Sequence, residues 1–172
     1  MNGKEFDLFY KITQQKINQL KLENLEKGFD SIQIRIWYDY SLVTQRKILV
    51  LKKIDSKYSA ILYLFDVDWD YQNEKETITQ KDIRVLNLNI DWGKFMKELS
   101  DLGIESLPNM DDIPGLFDGW TDGITYNIEI ATMSKYRFYS YHVPEEFQDE
   151  FWQAKNIVKI LSLIENEFGL NK

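Results

Sequence analysis

The chain contains no cysteine and a single histidine, His142. The first absence excludes disulfide frameworks, thiolate zinc sites, iron–sulfur clusters and cysteine nucleophiles. The second excludes metal sites built from several histidines and leaves one imidazole as a general base. Any further acid–base work falls to carboxylates. No apolar run reaches the roughly 18 residues that a spanning helix needs, and the opening residues mix charges with isolated apolar positions, without a signal-peptide core. A cytoplasmic location with no membrane association is therefore expected, although a chain stripped of a leader would read the same. Glycine-rich phosphate loops, a nucleophile elbow and the His-Glu-x-x-His zinc signature are also missing, so nucleotide hydrolysis, esterase and zinc-protease readings have no support. No cofactor or metal is implied.

What the chain does have is apolar and aromatic material. Across 172 residues, 44% are hydrophobic and 15% aromatic, which excludes a disordered chain and fits one domain with a substantial core. Acidic residues outnumber basic ones 28 to 21, for a formal charge of -7. That balance argues against a surface that tracks nucleic-acid phosphates and favours a neutral ligand or a basic protein partner.

The pattern along the chain predicts a single α+β domain with an antiparallel sheet of about six strands, in the order α-β-β-β-β-α-β-β-α, its helices packed mainly on one face. Residues 5–27 read as an amphipathic helix with Gly28 as its stop. Residues 31–40 alternate as a half-buried strand, with Ile32, Ile34, Ile36, Tyr38 and Tyr40 on one side and Gln33, Arg35, Trp37 and Asp39 on the other. Strands over 46–54 and 58–69 follow, joined by a tight turn at 55–57; a polar loop over 70–81 leads to a fourth strand at 82–88. Asp91 caps a helix that ends at Gly103, residues 105–122 form a long irregular loop, and strands at 123–131 and 135–142 precede a long helix opening at Pro144.

The last two strands invite a register. Centring their turn on Met133 pairs Ile130 with Tyr136, Ile128 with Phe138 and Tyr126 with Ser140 on an apolar side. The opposite side then pairs Glu129 with Arg137, Asn127 with Tyr139 and Thr125 with Tyr141, an ion pair, an amide and two phenols. This is the candidate binding face, joined by Trp120 and Asp122 from the preceding loop. The plain alternative is an ordinary cross-strand pair on a solvated sheet.

Asp122-Gly123-x-x-Tyr126-x-x-Glu129 followed by Tyr136-Arg137-x-Tyr139-x-Tyr141-x-x-Pro144 resembles the C-terminal part of small uncharacterised bacterial α+β proteins. The resemblance covers the last third of the chain and implies no activity. Two acidic segments complete the candidates. Asp66, Asp68 and Asp70 echo the first half of a calcium loop, but Tyr71 and Thr77 stand where an EF-hand needs glycine and a bidentate glutamate, so solvated acids at a strand end fit better. Asp111, Asp112, Asp118 and Asp122 could supply an acid and a base, or serve as turn residues.

Two functions therefore stand as expectations. The first is a non-enzymatic binding or accessory domain that engages a protein partner, a basic one by charge, through an acidic, tyrosine-rich surface. The second is a small carboxylate-dependent hydrolase with its site in the 111–142 region, using those aspartates with Glu129, Arg137 and His142.

Overall fold

The computed structural model describes residues 4–41, 43–72, 75–116 and 122–170. Its frame is one six-stranded antiparallel sheet in the order β4-β3-β2-β1-β5-β6, with β1 at Ile32–Tyr40, β2 at Gln45–Ile54, β3 at Lys57–Asp70, β4 at Lys75–Leu86, β5 at Ile124–Thr132 and β6 at Tyr136–His142. The helices are α1 (Lys4–Leu20), α2 (Trp92–Asp101), the single turn α3 (Pro144–Phe147) and α4 (Trp152–Phe168). The expected α+β class and antiparallel sheet are what the chain adopts.

The main core lies on the side of the sheet that carries Ile34, Ile36, Tyr38, Leu49, Leu51, Tyr126, Ile128 and Ile130. It is closed by Phe95 and Leu99 of α2, by Ile157, Ile160, Leu161 and Ile164 of α4, and by the segment 104–116. α1 covers the other side, where Ile17 and Leu20 meet Trp37, Ile48, Val50, Phe65 and Val67. β1 is therefore buried on both faces, Arg35 and Trp37 to 0% exposure. The expectation of a half-buried strand fails because a long helix lies over its polar side.

Other boundaries move for local reasons. α1 stops at Leu20, where Lys21 turns left-handed (φ 57°) and the Leu22 N–H donates to Ile17 O at 3.0 Å; Leu25–Lys27 is a separate 3-10 turn. The expected loop over 70–81 is mostly strand, because the β-branched run Thr77-Ile78-Thr79 extends β4 back to Lys75, interrupted by one bulge opposite Asp66 and Val67. β3 thereby becomes an internal strand. α2 starts as read, with Asp91 Oδ1 accepting from Lys94 N at 3.1 Å. The final helix is broken between Phe147 and Trp152, so that Phe147 and Phe151 both turn onto the main core.

The last hairpin is shifted by one residue from the expected pairing. Its turn holds two residues, Met133 and Ser134, closed by Thr132 N donating to Lys135 O at 2.8 Å. Thr125 then faces His142, Asn127 faces Ser140, Glu129 faces Phe138, and Ile130 faces Arg137. A one-residue shift sends alternate side chains to opposite faces, and here it sends Arg137, Tyr139 and Tyr141 into the main core side.

Gly123 opens this hairpin because Val143 at its far end leaves no room. A Cβ on Gly123 would overlap Val143 Cγ1, and Val143 is itself held at φ 38°, a left-handed conformation uncommon for a β-branched residue. Gly123→Ala is expected to lower stability by about 1–3 kcal/mol as an overpacking change. Urea unfolding should recover part of that loss in Gly123→Ala/Val143→Ala; an equal loss with and without the second change would remove the steric explanation.

Candidate functional site

The residues read from sequence as one binding face do not form one. Glu129 and Asn127 lie under α1, both at 0% exposure, whereas Arg137, Tyr139 and Tyr141 lie on the α2 and α4 side. Asp122 is exposed at the entry to β5, and Trp120 and Asp118 lie outside the described residues. The pair Glu129–Arg137 is thus not made. Arg137 instead donates to the carbonyls of Glu105 and Leu107, Tyr139 OH to Ile104 O at 2.7 Å, and Tyr141 OH to Pro108 O at 2.9 Å. These donors satisfy the main chain of a segment that has little secondary structure of its own. Asn109 completes the attachment by accepting Ser140 N at 2.8 Å, which covers part of the outer edge of β6.

Glu129 has different partners. Trp37 Nε1 donates to Oε2 at 2.8 Å and Tyr136 OH to Oε1 at 3.0 Å, while Arg35 Nη1 stands 3.6 Å from Oε2. Arg35 is held in turn by Glu23 O at 2.6 Å, and by Gln33 when the Gln33 amide oxygen faces the guanidinium. Burial pushes the Glu129 carboxyl above the usual glutamate range and outweighs the opposing influence of Arg35, Trp37 and Tyr136. The Tyr136 phenol is likewise pushed up, chiefly by burial and then by Glu129. Glu129 lines neither the cavity under α1 nor the hollow on the opposite face.

One end of the same face carries a second polar cluster. Asp39 Oδ1 accepts from Lys16 at 2.6 Å and lies 3.7 Å from Arg46 Nε, while its Oδ2 accepts from Asn127 at 2.9 Å. Glu76 Oε2 is 3.2 Å from Lys16, Ser140 Oγ donates to Asn127 Oδ1 at 2.6 Å, and His142 Nδ1 meets Thr125 Oγ1 at 3.0 Å. Lys16, Asp39, Arg46, Glu76, Thr125 and His142 border a cavity of about 200 Å³ between α1 and the sheet, smaller than the roughly 300 Å³ at which pockets for organic ligands begin. A larger hollow of about 490 Å³ sits on the opposite face, walled by Leu62, Leu64, Leu86, Phe168 and Leu170 with Lys47 and Arg84. Among the described residues its lining holds neither a carboxylate nor a histidine.

Asp111 and Asp112 form the first turn of a 3-10 helix at Met110–Asp112, which packs against the end of β6, where His142 N donates to Met110 Sδ at 3.1 Å. Asp66, Asp68 and Asp70 share one face of extended β3 but stand about 7 Å apart along it, instead of folding back around an ion as a calcium loop does. Among the described residues, no group of three or more metal-ligating side chains is placed to hold a metal, and no helix is long and apolar enough to cross a membrane.

What sequence reasoning passed over is the outer end of the β3–β4 hairpin. Trp69 is 51% exposed and Tyr71 86%, among Asp68, Asp70 and Gln72. The signal was present: two large aromatics within an acidic run, too polar in surroundings to belong to a core. No protein-family profile matches the chain, and no curated protein matches its sequence.

Because the folded carboxyl of Glu129 holds its proton more tightly than the unfolded one, its contribution to stability is full below the ordinary glutamate value and is lost as pH rises through the folded value. The stability advantage of wild type over Glu129→Gln should therefore be greatest near pH 4, just below the ordinary glutamate value of about 4.3, and shrink toward neutral pH. Urea midpoints measured across that range check this; an advantage that grows with pH would reverse the sign.

Proposed function

We propose that the protein is a non-enzymatic binding domain that engages a basic protein partner through the outer end of its β3–β4 hairpin. The observation that carries this reading is the exposure of Trp69 and Tyr71 beside Asp68 and Asp70. Tryptophan and tyrosine give large contact area with few rotors to immobilise, which is why they dominate the energetics of protein interfaces. The flanking carboxylates, within a chain of net charge -7, speed encounter with a basic surface and disfavour nucleic acid.

The tyrosines first expected to form this surface are core residues, so the contact area moves from the C-terminal hairpin to the central one. The hydrolase reading has weaker support. Its expected base Glu129 is fully buried among its own donors, and Arg137 belongs to the other face of the sheet.

Capture from the source cell's lysate with wild type and with Trp69→Ala/Tyr71→Ala tests the proposal. The expected result is a basic protein recovered at low salt, reduced at least about tenfold in the double variant, the scale of one lost interface anchor. Equal unfolding midpoints for the two forms exclude a folding defect. Recovery unaffected by the double variant, or no specific partner with either form, would contradict the reading.

A further inference from the structure

We infer that the free edge of β4 pairs with the same edge of a second copy of this chain, giving a reversible twofold dimer with one continuous sheet. This rests on the strand itself and is independent of the reading of the hairpin end.

The edge is delimited at both ends. At its start, the side-chain amide of Gln19 lies along the strand like a short piece of neighbouring backbone. It donates to Glu76 O at 3.0 Å and accepts from Ile78 N at 2.9 Å. Beyond this come the bulge and then residues 80–86, after which the strand ends at Leu86. Residues 80–85 are all exposed, and among the described residues no outside main-chain partner meets them. The opposite edge of the sheet is different, since Asn109 already covers β6 there.

The direction of the free groups follows from the ladder. Glu76 and Ile78 turn their main-chain groups outward to Gln19, and Val67, opposite Ile78, donates away from β4 to Thr44 O at 3.0 Å. Even-numbered residues of β3 therefore bond toward β4, so that Asp82 and Arg84, opposite Leu64 and Leu62, bond inward. Lys81, Ile83 and Val85 are left with their N–H and C=O groups facing out.

A twofold axis at Ile83 uses this pattern completely. Ile83 meets Ile83 of the second copy as a hydrogen-bonded pair, and Lys81 meets Val85 in the same way on either side. Residues 80–86 pair with residues 80–86, so the pairing stops where Gln19 and the bulge begin. The intervening positions place Asp82 opposite Arg84 of the second copy and Arg84 opposite Asp82, in the non-hydrogen-bonded positions where side chains approach most closely. Within one chain these two residues already form an ion pair at 2.8 Å, with side chains 58% and 60% exposed. The dimer exchanges that exposed pair for two cross-strand pairs. It also covers Ile83 and Val85, which are 49% and 76% exposed in the single chain. Charges on an edge strand ordinarily prevent sheet-to-sheet association; here their order makes the antiparallel self-pairing complementary and a parallel one repulsive.

Sedimentation equilibrium over a concentration series tests the dimer with the full chain and two variants. Asp82→Arg sets cations against cations across the axis, and Arg84→Asp sets acids against acids. Wild type is expected to reach about twice the chain mass of 20.6 kDa at high concentration, and each variant alone to remain at the chain mass. An equimolar mixture of the two variants restores complementarity at both pairs and should return to the doubled mass, an outcome that loss of an intrachain ion pair cannot produce. Matching far-ultraviolet circular dichroism and unfolding midpoints confirm that each variant is folded. A wild type that stays monomeric, variants that dimerise alone, or a mixture that fails to dimerise would each overturn the proposal.

Discussion

A carboxyl group buried at the centre of a sheet has to find its partners within the protein, and Glu129 finds them on the two strands that flank its own. Trp37 and Arg35 come from β1, Tyr136 comes from β6, and Glu129 itself belongs to β5. Removing water from such a group is costly unless each lone pair is used, and the groups that use them can reach it in one register only. Arg35 stands opposite Glu129 on β1, and Tyr136 lies two positions from the residue opposite it on β6. A slip of one residue on either side would point the partners to the other face. The rest follows from that fixed register: Arg137, Tyr139 and Tyr141 turn toward the main core, where they hold the carbonyls of residues 104–108, and that segment in turn covers the outer edge of β6.

The same arrangement explains why the chemically richest residues of the chain are poor candidates for catalysis. Glu129 is enclosed by its donors, and the more open cluster of Lys16, Asp39, Arg46 and Glu76 is a network of mutually paired charges that ties α1 to β1, β2 and β4. Such networks restrict the side chains that compose them. The features on which recognition is proposed lie at the periphery, on the β3–β4 hairpin and the β4 edge, where large side chains and main-chain groups face outward.

The fold was legible wherever local signals and burial agreed. Asp91 at a helix start, Gly103 at its end and the alternation of β1 each express a preference that the tertiary structure keeps. The site was less legible, and the reason is physical. On β5 and β6 both faces are buried, so the contrast between apolar and polar positions that sets a register by pattern is nearly absent. Reading tyrosine as polar then placed Tyr139 and Tyr141 on the solvent side, although each is 0% exposed and needs only one carbonyl to satisfy its hydroxyl. Arg35 and Trp37 carried a usable signal. A strand whose polar side consists of Gln33, Arg35, Trp37 and Asp39 has the long hydrogen-bonding side chains that a second covered face requires, more than a solvated face would need. The pattern from Asp122 to Pro144 is likewise accounted for by packing: Gly123 admits Val143, Tyr126 donates to Glu145 at 3.0 Å, and the later residues hold the neighbouring segment.

The most direct test of this account is a double-mutant cycle on the buried pair, with Arg35→Met, Glu129→Leu and the combined variant compared by urea unfolding at neutral pH. If the pair fixes the sheet, each single change leaves a buried polar partner unsatisfied and costs about 1–3 kcal/mol, while the combined change costs no more than either one alone. Single variants as stable as wild type, or losses that simply add, would contradict it.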